Sequence, residues 1–351
     1  MAAGSVRVLI VDDSLVAREM LAQILSTDPG IEVIGMARDG REAVDAVAQL
    51  RPDLVTMDIH MPRMDGLLAT EKIMAYHPTP ILVVSSSVYG EGMGRAFDAL
   101  EHGALEVIKK PEPRDWADLE RIGKDVIRKV KVLSRVKVIT HIAGRRPRPT
   151  TPIAPVELSA PSGARSLVAI GSSTGGPSAL LDVLGRLAPD FPTPIVIAQH
   201  IADGFVPGLV SWLDSGCKVS VRAAEDGAPA HNGCAYLAPT GVNLEMDGMT
   251  MRFVERSPGQ LYIPSADTLF ESVARTIGRS SVGIILTGMG ADGANGLKVL
   301  RDIGAATIAQ DETTSTVYGM PRAAVELGAA QTVLPVHDIA EHLSKLVAGV
   351  E

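Results

Sequence analysis

Residues 6–26 read VRVLIVDDSLVAREMLAQILS. A short, mainly apolar run, Val6–Val11, ends on two adjacent acids, Asp12 and Asp13, and a helix-period stretch, Leu15–Ser26, follows. One strand, one acidic turn and one helix make the unit from which parallel sheets are built. Working outward, the same alternation continues. Strands are expected at Ile31–Met36, Leu54–Met57, Ile81–Val84 and Leu105–Ile108, with helices at Arg41–Leu50, Leu67–Tyr76 and Met93–His102. A last helix starts near Trp116 and carries Leu119, Ile122, Val126, Ile127, Val130 and Leu133 at helical spacing. The pattern predicts an α/β domain with a doubly wound, five-stranded parallel sheet, whose site lies at the carboxyl ends of the strands.

The chain has 351 residues, which suits two domains of about 100–200 residues each. Hydrophobic residues make up 46% and charged residues 21%, a globular composition. Lys plus Arg number 33 against 41 Asp plus Glu, for a net charge of −8, which argues against a nucleic-acid-coating protein. No apolar stretch approaches the roughly 18 residues a membrane span needs. The opening MAAGSVRVLIVDD lacks the pattern of a secretory signal. A cytoplasmic protein without direct membrane insertion is expected. Cys217 and Cys234 match no zinc spacing and read as reduced, partly buried thiols.

Residues 145–165, RRPRPTTPIAPVELSAPSGAR, hold five prolines and four arginines with one acid, Glu157. Repeated proline fixes φ and removes amide donors, so this stretch reads as an extended linker. Three regions follow: a domain over 1–130, a helix end and Pro/Arg-rich linker over 131–165, and a second domain over 166–351. In the second, Leu167–Ile170, Ile195–Ala198, Val282–Leu286 and Ala306–Ala309 read as buried strands of a parallel sheet. Gly176–Leu187, Phe205–Asp214, Asp292–Ile303 and Ile339–Val347 read as helices, and 217–265 as a β-rich insertion.

Acids stand where the first sheet's strands end: Asp12 and Asp13 after LIV, and Asp58 after PDLVTM. With strands one and three side by side, the three carboxylates converge and suit a hard divalent cation such as Mg²⁺. Ser85 ends the fourth strand and Lys110 follows the fifth, where a hydroxyl and an ammonium can bind oxygens of a phosphoryl group on Asp58. Singly, each Asp also reads as a helix cap or turn former. VLIVDDS, VTMDIHMPRMDG, VVSSS and KKP resemble the receiver domain of bacterial response regulators. The resemblance implies phosphotransfer from a histidine kinase to Asp58, Mg²⁺ on Asp12, Asp13 and Asp58, and switch roles for Ser85 and Lys110. Val107 stands where many receivers carry an aromatic residue, which puts an aromatic-rotamer switch in doubt.

The second domain opens on SLVAIGSSTGGPSAL, a strand running through Ser172, Ser173, Thr174, Gly175 and Gly176 into a helix with Pro177 in its first turn. Such a turn lifts a side chain above the sheet and points helix-terminal amides at it. It could also hold phosphate, although it matches neither GxxxxGK[ST] nor GxGxxG. Among eight histidines, only His200 closes an apolar strand, PIVIAQH. Asp292 stands in VGIILTGMGADG, where another strand breaks into a glycine turn. Alone, His200 also reads as a structural histidine and Asp292 as a cap. Together the three strand-end positions match a Ser-His-Asp arrangement.

GSSTGGP, AQH, PSADTLF, TGMGADG and VYGMP resemble the catalytic domain of the chemotaxis protein-glutamate methylesterase (CheB) family. The resemblance implies Ser173 as nucleophile, His200 as base, Asp292 as orienting acid and the Met289 N–H as oxyanion donor. It implies hydrolysis of glutamate methyl esters on chemoreceptors, deamidation of receptor glutamines, a chemotaxis histidine kinase as phosphodonor and no cofactor in this domain. It further implies that the unphosphorylated receiver partly covers the Ser173 cleft. Ser172, where the family often has Ala, is expected to be a turn residue. A regulator with a non-catalytic second domain and a small-ester hydrolase remain as other classes.

Overall fold

The computed structural model describes residues 5–86, 95–113, 116–138 and 165–349. They fall into two compact units, divided between Arg148 and Pro149. The linker expected over 145–165 lies outside the described residues up to 164, as do residues 93 and 94 of the expected fourth helix.

The first unit contains β1 (Val6–Val11), α1 (Leu15–Ser26), β2 (Ile31–Ala37), α2 (Gly40–Leu50), β3 (Leu54–Met57), α3 (Gly66–Tyr76), β4 (Ile81–Ser85), α4 (Arg95–Glu101), β5 (Glu106–Lys109) and α5 (Trp116–Leu133). The strands form one parallel sheet in the order β2-β1-β3-β4-β5. Both β3 and β4 are wholly buried, as strands covered on both faces must be. Helix starts follow the local chemistry. Ser14, Asp39 and Asp65 cap α1, α2 and α3 by accepting amide N–H groups of the first turn.

The second unit contains β6 (Leu167–Ser172), α6 (Gly176–Leu184), β7 (Ile195–Gln199), α7 (Val206–Gly216), β8 (Ser220–Ala223), β9 (Cys234–Leu237), β10 (Asn243–Asp247), β11 (Thr250–Val254), α8 (Ala266–Thr276), β12 (Ser281–Ile285), α9 (Ala294–Asp302), β13 (Ala306–Gln310), α10 (Met320–Glu326), β14 (Thr332–Leu334) and α11 (Val336–Ala348). Seven strands build a parallel sheet in the order β14-β13-β12-β6-β7-β9-β8. The expected β-rich insertion is therefore corrected. β8 and β9 extend the main sheet in parallel, and only β10 and β11 form a separate antiparallel pair. One core cluster joins Leu167 and Ala169 of β6, Val196 and Ala198 of β7 and Ile285 of β12 with Phe270 and Val273 of α8, all fully buried.

Among the described residues, no helix is long and apolar enough to cross a membrane. Cys217 and Cys234 are free and half-buried, and burial pushes the Cys217 thiol up to about 12.

Candidate functional site

In the first unit, β1 and β3 pair with Val11 opposite Met57, so the next residues, Asp12 and Asp58, leave the sheet side by side. Carboxylate oxygens of Asp12, Asp13 and Asp58 all lie within 4.8 Å of one another, with Asp12 and Asp58 buried and Asp13 exposed. Lys110 follows β5 and brings its ammonium to 2.7 Å from Asp12 and 2.9 Å from Asp58. Its backbone N–H donates to the carbonyl of Ser85, the buried last residue of β4, at 3.0 Å. Burial pushes the Asp58 carboxyl above its ordinary value. The Lys110 ammonium offsets this only in part, and Asp12 adds to the rise. Burial alone would lower the Lys110 ammonium, but the bonds to both carboxylates outweigh it and raise it. Three carboxylates against one ammonium leave negative charge in excess, which fits a hard, oxygen-liganded divalent cation.

The turn after Asp58 is packed against it. A Cβ at Gly66 would fall 1.9 Å from the Asp58 carbonyl oxygen, so only glycine allows this approach. The Gly66 N–H donates to the Ile59 carbonyl at 2.9 Å and closes the turn.

In the second unit, β6 lies between β12 and β7. Its end is tied to both neighbours. The His200 N–H donates to the Ser172 carbonyl at 2.9 Å, and the Ser173 N–H donates to the Thr287 carbonyl at 3.0 Å. Ser173, His200 and the turn holding Asp292 thus issue from three adjacent strand ends. Ser173 is buried, and a Cβ at Gly288 would lie 2.8 Å from the Ser173 Cβ. The serine side chain therefore rests on the backbone immediately preceding Met289.

His200 Nε2 lies 2.8 Å from Asp292 Oδ2. His200 Nδ1 is buried and has no hydrogen-bond partner among the described residues. The carboxylate is also held by the start of α8: the Ser265 hydroxyl donates to Oδ1 at 2.8 Å and the Ala266 N–H donates to Oδ2 at 2.7 Å. A helix N-terminus presents unsatisfied N–H groups and a favourable dipole to an anion. Burial pushes the Asp292 carboxyl up, but His200 and the α8 donors outweigh it and hold the carboxyl below its ordinary range. Asp292 is thus ionised and accepts Nε2–H, which leaves the Nδ1 lone pair free.

Ser172 corrects an expectation. It is the fully buried last residue of β6 rather than a turn residue, and its hydroxyl donates to Gln199 Oε1 at 2.6 Å. The Gln199 amide in turn donates to the carbonyls of Ser173 at 2.9 Å and His200 at 2.8 Å. Gln199, Ser265 and the helix α8 were missed in the sequence. Ser265 ahead of Ala266, Leu269, Phe270 and Val273 carries a readable cap-and-helix signal, whereas the Gln199 clasp exists only across strands.

Two family models match this chain: "Response regulator receiver domain" over residues 8–118 and "CheB methylesterase" over residues 168–343. A protein-glutamate methylesterase/protein-glutamine glutaminase of Anaeromyxobacter dehalogenans is 45% identical over 343 residues, covering 97% of each chain. One of Geobacter metallireducens is 44% identical over 343 residues, covering 97% of this chain and 99% of the relative. One of Syntrophus aciditrophicus is 43% identical over 351 residues, covering 98% of this chain and 99% of the relative. With such identity across both units, the chain belongs to the CheB methylesterase family and carries its response-regulator receiver at the N-terminal side.

Proposed function

We propose that Ser173, His200 and Asp292 hydrolyse glutamate γ-methyl esters on chemoreceptors, and receptor glutamine amides by the same steps, under control of receiver phosphorylation at Asp58. The observation that carries this reading is the 2.8 Å His200–Asp292 bond, with the carboxylate held ionised at the start of α8.

Ser173 Oγ attacks the ester carbonyl carbon while His200 Nδ1 takes its proton. Asp292 fixes the imidazole through Nε2 and balances the imidazolium charge. The Met289 N–H accommodates the oxyanion. Collapse breaks the carbon–methoxy bond, His200 returns the proton to the methoxy oxygen, and methanol leaves. Water then attacks the acyl-serine, gives a proton to His200, and frees the glutamate carboxylate and Ser173. On a glutamine side chain the broken bond is carbon–nitrogen and the first product is ammonia.

In the receiver, an Asp58 oxygen forms a bond to phosphorus as the phosphohistidine nitrogen–phosphorus bond of a chemotaxis kinase breaks. Asp12, Asp13 and Asp58 would hold Mg²⁺, and the chemistry it supplies there is neutralisation of phosphoryl charge. Lys110 and Ser85 receive phosphoryl oxygens. Both partners put the reaction in the cytoplasm. The receiver restrains the second unit until it is phosphorylated, so a chain starting near residue 160 exceeds the unphosphorylated full chain in rate.

The test is methanol release from methylated receptor by wild type and Ser173→Ala, with and without a small phosphodonor plus Mg²⁺. Release that needs Ser173 and rises with the phosphodonor supports both assignments. Equal release from both proteins rejects the nucleophile, and no release from either returns the non-catalytic regulator.

A further inference from the structure

The His200 ring has a further contact besides Asp292. The Tyr262 ring stacks on its imidazole, with centroids 4.6 Å apart and planes 3° from parallel. Aromatic pairs at this separation contribute beyond simple burial. A single Nε2···Oδ2 bond leaves an imidazole free to swing about that bond, carrying Nδ1 with it. A parallel ring on its face stops that swing.

Tyr262 spans two parts of the site. A Cβ at Gly290 would lie 2.8 Å from the Tyr262 hydroxyl oxygen, and Gly290 also has φ +83°. The tyrosine therefore reaches from the imidazole face to the turn just past Met289. Its own segment is clamped on both sides by one residue. Buried Asn243, the first residue of β10, exchanges amide hydrogen bonds with Gln260 at 2.9 and 3.2 Å and accepts the Ser265 N–H at 2.9 Å. Gln260 stands two residues before Tyr262, and Ser265 stands three after it. Leu261 is 82% exposed, whereas Ile263 is half-buried and Pro264 buried, so the segment is anchored from its Ser265 side.

We propose that Tyr262 is the positioning residue for the His200 base: its ring fixes the imidazole plane, and with it the direction of the buried Nδ1, and the Asn243–Gln260 clamp holds the ring there. The proposal rests on the Ser173–His200–Asp292 reading. It concerns how the base is held, not which groups react. A ring is needed, and the hydroxyl is secondary.

The test uses the full chain with phosphodonor and Mg²⁺, and measures methanol release for Tyr262→Phe, Tyr262→Leu and Ser173→Ala. Misaiming a reacting group by about 1 Å can cost up to ~100-fold in rate. Tyr262→Leu is expected to lose about 10–100-fold in kcat with KM within about twofold, while Tyr262→Phe stays within about threefold of wild type. The His200 ring-proton resonances should also move downfield in Tyr262→Leu and hold in Tyr262→Phe, because an aromatic face shields the protons beneath it. Wild-type kcat in Tyr262→Leu, or a loss confined to KM, overturns the positioning role. An active Ser173→Ala overturns the underlying reading instead, and the two failures are distinct.

Discussion

Asp58 and Asp292 are both buried aspartates near the carboxyl ends of parallel strands, yet their surroundings drive them in opposite directions. Asp58 meets burial and Asp12 with one ammonium and the neighbouring Ile59 N–H to offset them, and its carboxyl is still raised. Asp292 meets comparable burial with an imidazole, a hydroxyl and a helix amide around it, and its carboxyl is lowered. The first site carries negative charge in excess, as the proposed cation and phosphoryl group require. The second is saturated with donors, as an anion that stays fixed beside the proposed base requires. Two sites on sheets of the same kind thus differ in the ratio of donors to carboxylates, and that ratio follows what each must bind.

The largest effect that would break this comparison belongs to the second unit. Ser173→Ala is expected to lower kcat by about 10⁶-fold, and Asp292→Asn by about 10⁴-fold, in methanol release. Phosphorylation of Asp58, followed with a radiolabelled phosphodonor, should be unchanged in both. An Asp292→Asn enzyme of near wild-type rate would make Asp292 a cap for α8 and nothing more.

A smaller effect sharpens the role of α8. Ser265→Ala removes both a donor to Asp292 and the helix cap, since the Ser265 side chain also accepts the Thr268 N–H. It should cost about 1 kcal/mol in denaturant unfolding of the second unit. The esterase rate should fall about tenfold, the equivalent of one charge-assisted hydrogen bond. Full activity with normal stability would remove α8 from the account of Asp292.

The pH dependence tests the opposite signs directly. A lowered Asp292 carboxyl means that the folded state favours its ionised form. That stabilisation is complete at neutral pH and is lost as pH falls through about 4 and below. Asp58 has the reverse sign: its ionised form weakens the folded receiver near neutral pH, and the penalty fades as the pH falls toward about 4. Asp58→Asn should therefore raise the receiver's Tm by about 2–5 °C without divalent cation in a calorimetric scan of the full chain. Mg²⁺ should stabilise the wild-type receiver more than Asp58→Asn. A lower Tm in Asp58→Asn without Mg²⁺ would mean that Lys110 fully balances the cluster.

The smallest expected effect concerns Ser172. Its hydroxyl is committed to Gln199, so Ser172→Ala should cost about 1 kcal/mol of stability and leave the rate within a few-fold of wild type. Loss of activity with Ser173 intact would transfer the nucleophile to Ser172.

Much of the fold is legible in residue pattern because the strands are covered on both faces and read as short apolar runs. β1, β3 and α1 begin and end where their apolar patterns do. β8 and β9 did not declare their sheet. Four residues can establish a strand, but only the pairing of β9 with β7, and of β8 with β9, places them on the main sheet. α8 carries a cap and an apolar face, yet it follows a turn-rich stretch in which the period is broken. The candidate site divides in the same way. Asp12, Asp13, Asp58, Ser173 and His200 are marked by their place directly after apolar runs.

What the sequence determined alone is the set of candidate side chains and the strand ends that present them, because strand periodicity and glycine turns are local properties of the chain. What only the tertiary structure decided is the state of those groups. Asp58 and Asp292 have the same side chain, and residues distant in sequence make one short of donors and the other rich in them. Lys110 is 52 residues from Asp58, Asp292 is 92 from His200, and Ser265 is 27 from Asp292. Burial and hydrogen bonding at such separations are set by how elements pack, and no local pattern encodes them.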